Sequence, residues 1–226
     1  MKSIVCVGVA TLDRVYRVEA IPSPPAKIRA IDYLEVGGGL AANAAVTVAR
    51  LGGLGCYWGR VGADPVGDTI LAQLAAEGVD VAGVRQVAGA RSLAPAVLVD
   101  ATGERLIVAN PDPRLDPDPA FLDLAALRRA DAVMADVRWV EGAERVLQEA
   151  HRLGLPVVLD AEAPGGDALD RLCPLSGHVI FSIDGLRAFA AEDDMDRALV
   201  TAHARLGAVV GVTLGADGVR LRSAAG

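Results

Sequence analysis

Short, nearly continuous apolar runs recur along the chain: SIVCVGV (Ser3 to Val9), GCYWGRVG (Gly55 to Gly62), DAVMAD (Asp131 to Asp136), LPVVLD (Leu155 to Asp160), HVIFS (His178 to Ser182) and AVVGVTLG (Ala208 to Gly215). A strand wetted on one side alternates polar and apolar residues, whereas unbroken apolar runs suit strands covered on both faces. Between the runs lie DPVGDTILAQLAAEG, VEGAERVLQEAHRLG and DMDRALVTAHARLG, whose apolar residues recur at three and four, as on one side of a helix. This alternation predicts an α/β fold in which a mainly parallel sheet lies between helical layers.

Two regions break the rhythm. RVYRVEAIPSPPAKIRAIDYLEV (Arg14 to Val36) alternates about a proline-rich turn, and LAPAVLVDATGERLIVA (Leu93 to Ala109) holds two strand-like runs about the turn Asp100 to Gly103. These predict a smaller, one-sided sheet at about 14–36 and 92–110, a lid over the edge of the main sheet. With 226 residues and 52% hydrophobic content, the span 1–226 is expected to form a single domain with one sizeable core. The prolines from Pro111 to Pro119 predict a stiff loop.

Charge and cysteine content narrow the function. A formal charge of −7 supplies no general positive field for nucleic acid or anionic membrane, so an anionic ligand has to be held locally. Cys6, Cys56 and Cys173 are widely spaced and form no CxxC, which fits a reducing cytoplasm better than a disulfide framework or zinc site. No segment approaches the apolar length of a membrane helix, roughly 20 residues.

The stretch VGGGLAANAAVTVARLGG (Val36 to Gly53) places bare backbone immediately before a helix. Gly37, Gly39 and Ala42 satisfy G-x-G-x-x-A, with Asp64 further on, but a dinucleotide fingerprint should follow the first strand of a βαβ unit. No GK[ST] occurs for a phosphate loop. Two readings stay open here: a tight structural turn, or a polar ligand on the amides of Gly38 and Gly39 with the Asn43 amide beside them. Asp13 would sit at the carboxyl edge of the first strand, where open α/β sheets bind ligands. Lys27 in the lid turn and Arg138 after a strand could meet an anionic substituent, or be a solvated lysine and an arginine paired with Asp136 or Asp160. His151, His178 and His203 lack metal spacing, and Trp58 and Trp139 read as packing residues.

GGLAANAA (Gly38 to Ala45), followed by Gly52 and Gly62, resembles the N-terminal motif of the PfkB (ribokinase-like) carbohydrate kinases. TLD (Thr11 to Asp13), GADPVG (Gly62 to Gly67), LPVVLD and TLGADG (Thr213 to Gly218) fall in the family's order, so the resemblance spans the chain. It implies a three-layer αβα fold with a β-sheet lid, sugar between lid and main sheet, and ATP with Mg²⁺ in an adjoining groove. It further implies sugar contacts from Asp13, Gly38, Gly39 and Asn43, backbone close to ATP at Thr213, Gly215 and Gly218, and a homodimer formed through the lid. YLEVGGG, GER and ADVRW are similar to sulfofructose-kinase-type and ketohexokinase-like members, which would give Lys27, Arg138 and Asn110 to an anionic ketose.

Ser182, a nucleotide-side residue, and Gly185 stand where many relatives carry an asparagine and a glutamate that organise magnesium, so no metal ligand is assigned. The family's D-T-x-G-A-G-D segment, source of the catalytic aspartate, does not occur before Gly226. The expectation is therefore that the base lies beyond Gly226 and that this chain alone has little activity. The alternatives are a ribose or nucleoside kinase of the same family and a catalytically silent sugar-binding or regulatory protein.

Overall fold

The apolar runs fold as strands whose successive residues enter two different cores. In β1 (Ser3–Gly8), Val5 and Val7 point into one cluster and Cys6 into the other. β4 (Leu54–Gly62) divides likewise, with Cys56 and Trp58 on the first side and Tyr57 and Val61 on the second. This is the period-two geometry of a strand read on both faces. The computed structural model describes residues 1–115, 118–163 and 167–224; positions 116 and 117 of the proline-rich loop, and Gly226, lie outside them.

The remaining strands of the large sheet are β5 (Asp80–Val87), β8 (Ala132–Asp136), β9 (Val157–Ala161), β10 (His178–Phe181), β11 (Val209–Thr213) and β12 (Val219–Arg222). Their order is β12-β11-β10-β9-β8-β1-β4-β5, with every neighbouring pair parallel except β11 and β12. From β1 the chain builds outward through β4 and β5, then returns to the other side of β1 with β8. The strand order thus reverses between β1 and β8, and their carboxyl ends flank a crevice.

A second sheet, β3-β2-β6-β7, is made of β2 (Thr11–Arg17), β3 (Asp32–Gly38), β6 (Ala96–Val99) and β7 (Arg105–Val108). Its pairs are antiparallel apart from β2 and β6. This is the smaller sheet expected, but it is not one-sided along its outer strands: successive residues of β3 and β7, which point to opposite faces, are exposed alike. Asp64 ties it to the large sheet: its carboxylate caps the next helix at the Gly67 amide (2.8 Å) and accepts from the Ser92 amide (2.9 Å) and hydroxyl (2.7 Å).

Helices α1 (Leu40–Arg50) and α2 (Pro65–Ala76) cover one face of the sheet. The longer of those on the other face are α3 (Val140–Arg152), α5 (Ile183–Ala190) and α6 (Met195–Leu206), with short α4 (Ala168–Leu172) between α3 and α5. Beyond β8, on the side of α1 and α2, no helix of the described residues covers the sheet, and Val158, Val219 and Leu221 are exposed. His203 ends α6 with its ring Nδ1 2.7 Å from the Ala208 carbonyl, and Trp58 and Trp139 are buried in the core, both as expected.

Small residues let α1 approach the strands closely. Ala41, Ala42 and Ala45 are buried against the sheet, and a Cβ on Gly55 of β4 would stand 2.2 Å from the Ala45 carbonyl oxygen. Main chain cannot yield as a flexible side chain would, so Gly55→Ala has to push α1 outward. Urea denaturation should show a loss of about 1–3 kcal/mol, the usual cost of overpacking. An unchanged midpoint would mean that α1 is not held this tightly.

Candidate functional site

Three strand ends and one helix start converge at the strand-order reversal. β1 ends at Gly8, and the chain turns through Val9 and Ala10 into β2, which carries Thr11 and Asp13. β3 returns antiparallel, pairing Gly38 with Thr11 and Val36 with Asp13, and then breaks into α1 at Gly39. Gly39 has φ 95°, and a Cβ there would come within 2.4 Å of the Val9 carbonyl oxygen. Only glycine meets both conditions without strain. At Gly38 a Cβ would reach 2.5 Å from Asp13 Oδ2 and 2.6 Å from Thr11 Oγ1, so bare main chain lies directly against the carboxylate. The Thr11 hydroxyl donates to Asp13 Oδ1 at 2.5 Å and fixes its rotamer.

A cleft of about 800 Å³ opens here, lined among others by Thr11, Asp13, Gly39, Asn43, Arg60, Arg138 and Glu162. Its size suits a small polar molecule. Asp13, Gly39, Asn43 and Arg138 are thus brought together. Gly38 faces a second cavity of about 490 Å³ behind the same turn, which shares Thr11 and Asn43 with the cleft. Lys27 is exposed in the segment between β2 and β3 and is not among the lining residues. Asn110 is exposed as well, although its neighbours Ala109 and Pro111 line the cleft.

Arg138 is paired with Glu162 rather than with Asp136 or Asp160. Asp136 instead is wholly buried and accepts from main-chain amides: Oδ2 from Val9 (2.8 Å) and Ala41 (3.1 Å), Oδ1 from Arg138 (2.8 Å). Arg60, also buried, donates to the Leu115 carbonyl at 2.6 Å and lies 4.8 Å over the Trp139 ring. Asp112 in the cleft wall is held well below the usual carboxylate range, first by the Arg114 side chain and then by the Arg114 and Arg91 amides. Sequence reasoning did not single out Glu162. Its signal was available, because period two along LDAE places Asp160 and Glu162 on one face of the strand end.

On the open face of the sheet a groove of about 390 Å³ adjoins the cleft, and Glu162 belongs to both. Met134, Val158 and Ile180 line it, with Ser182 and Thr213 beside them; Gly215 and Gly218 lie in the β11–β12 turn and do not line it. Ser182 Oγ is engaged as the cap of α5, accepting from the Gly185 amide at 3.0 Å. These walls fit an aromatic base, but the lining contains no lysine or arginine for a triphosphate. Among the described residues no group of three or more acidic, histidine or cysteine side chains could hold a metal ion, so no role is derived for Mg²⁺.

Asp160, in the groove wall, is raised from 3.8 to about 6, first by burial, then by the charges of Glu162 and Asp136, against the opposing pull of Arg138. A raised folded-state value means that the folded protein binds the proton more tightly. The associated stability is present below the ordinary carboxylate range and is lost as pH rises through about 6. Asp160→Asn should therefore stabilise the protein by about 1–2 kcal/mol more at pH 8 than at pH 4, after allowance for solvent screening. Thermal denaturation at the two pH values measures the difference, and a gain independent of pH would contradict it.

The family model for the pfkB family carbohydrate kinases matches residues 1–226. The chain is 26% identical over its whole length to an ATP-dependent ribose-1-phosphate kinase of Halopiger xanaduensis, covering 75% of that protein. It is 35% identical over 100 residues to fructokinase-2 of Solanum lycopersicum, which is 43% of this chain and 30% of that one. Among solved structures, a candidate ribokinase from Agrobacterium tumefaciens superposes with TM-score 0.93 at 35% identity, over 99% of this chain and 73% of that one. The ribokinase of Arabidopsis thaliana complexed with ribose and ATP shares the fold, with TM-score 0.80 at 23% identity over 100% of this chain and 75% of that one. With the same fold and a family match from end to end, the chain belongs to the pfkB family of carbohydrate kinases.

Proposed function

We propose that the cleft binds a small sugar for ATP-dependent phosphorylation of one of its hydroxyls, the sugar being a ketose or sulfonated ketose. The observation that carries this is the Asp13 carboxylate packed against the bare main chain of Gly38 and Gly39, with Asn43 beside it, at the strand-order reversal. An ionised carboxylate accepts hydroxyl hydrogen bonds more strongly than a neutral group. The Asn43 amide adds a donor and an acceptor to the same wall. The relatives' names include a ketose kinase and a kinase of a phosphorylated sugar. Arg138 at the cleft wall supports a substrate with an anionic substituent, and the adjoining groove supports a nucleotide base. Lys27 and Asn110 would join the anion only if their segments closed over the cleft. The thiols of Cys6, Cys56 and Cys173 are free and buried, in keeping with a reducing cytoplasm.

Calorimetry with fructose, sulfofructose, ribose, ribose 1-phosphate and adenosine, beside an ATP-coupled assay, tests the reading. Asp13→Asn should weaken every bound sugar about tenfold or more, whereas Arg138→Ala should weaken anionic sugars by a similar factor and spare neutral ones. Binding of none of the panel, or equal losses in both variants for all sugars, would remove it.

We also propose that two copies pair through the small sheet, which exposes Tyr33, Leu34, Leu106, Ile107 and Val108. The register places Tyr33, Leu106 and Val108 on one face of that sheet, and exposed apolar side chains on one face mark an interaction surface. Light scattering should return twice the chain mass, and a strict monomer at high concentration would refute the pairing.

A further inference from the structure

We infer that Asp136 is a positioning residue whose buried carboxylate sets three main-chain segments, and with them the sugar-binding side chains, in one fixed arrangement. The inference rests on the reading of the cleft as a sugar site.

Each of its amide partners leads to a different part of that site. The Val9 amide belongs to the turn that delivers Thr11 and Asp13. Ala41 lies between Gly39 and Asn43 in the first turn of α1, and the Arg138 amide belongs to the residue whose side chain lines the cleft. A carboxylate is acceptor-only, with room for about four donors, and is further favoured by the positive end of a helix. An asparagine or an apolar residue could not hold all three amides.

Packing alone does not call for a charge here. Burial pushes the Asp136 carboxyl up, opposed by the Val9, Arg138 and Ala41 amides and then by Arg60. An apolar residue of similar volume would avoid that desolvation but would leave the three amides without an acceptor, each at its own desolvation cost. The surrounding chain is built to admit the carboxylate. A Cβ on Gly8 would stand 2.1 Å from Asp136 Oδ2, and the Tyr57 hydroxyl donates to the Gly8 carbonyl at 2.9 Å, pinning the same turn.

Amide hydrogen exchange and calorimetry test this together. In the unaltered chain the amides of Val9, Ala41 and Arg138 should be protected to a similar degree, although two of them lie outside helices and strands. Asp136→Asn turns a donor toward at least one of these amides, whereas Gly8→Ala keeps the carboxylate and displaces it. Both variants should speed exchange at all three amides by about tenfold or more, leave Val5 and Val133 unchanged, and weaken sulfofructose or ribose 1-phosphate about tenfold. ATP affinity should stay within about twofold, and the double variant should be no worse than either single one.

If one amide of the unaltered chain exchanges like a free loop, or if the variants release the amides separately, the inference fails. It fails too if Asp136→Asn binds sugar as tightly as the parent. Should the parent bind none of the sugars, the sugar reading falls, and the exchange results still decide whether Asp136 holds the three segments together.

Discussion

The contact on which the site depends is that of one buried carboxylate with the amides of Val9, Ala41 and Arg138. In a doubly wound sheet, the loops leaving adjacent strands at the reversal go in opposite directions, and nothing in the hydrogen-bond ladder connects them. Asp136 is placed where that connection is missing, at the end of β8 beside the end of β1. The parallel register aligns Val7 with Ala135, which brings Gly8 alongside Asp136 on the same face. The large sheet thus fixes the turn from which the small sheet presents Thr11 and Asp13 to the cleft.

Closeness of main chain to main chain is the second constraint. α1 begins with small residues because its first turn lies over Val9 and Ala10 and its middle over β4. Bulk at Gly39 or Gly55 would meet carbonyl oxygens, which cannot move aside by changing rotamer. The same closeness leaves amides and a carboxylate uncovered at the top of the sheet. A structural turn and a ligand cradle are therefore not competing accounts of this glycine stretch, since the turn packs tightly on one side and faces the cleft on the other.

Much of this was legible in the residues. The unbroken apolar runs became β1, β4, β8, β9, β10 and β11, because burial on two faces leaves a direct mark on composition, and the segments that broke this rhythm became the small sheet. β5 escaped notice because it is a half-exposed edge strand interrupted by Gly83, Arg85 and Gln86, and β12 because four residues, VRLR, are too few to show a period. At the site, Asn43 and the glycines carried a signal in their spacing, whereas Asp13, expected at the end of the first strand, lies on β2 of the small sheet because the chain turns at Val9 and Ala10. Period two put Glu162 on the same face as Asp160, but which of the two pairs with Arg138 depends on how two strand ends are juxtaposed in space. Lys27, one of two lysines in the sequence, sits in an exposed segment, and the cation buried at the cleft wall is Arg60.

Among the described residues the large sheet is bounded on one side by β5, whose Arg85 lies 5.5 Å over the Phe121 ring. For a foreign strand to add along β5, this guanidinium group would have to shed water and part from its neighbour. The charge thereby discourages lateral growth of the sheet on that side.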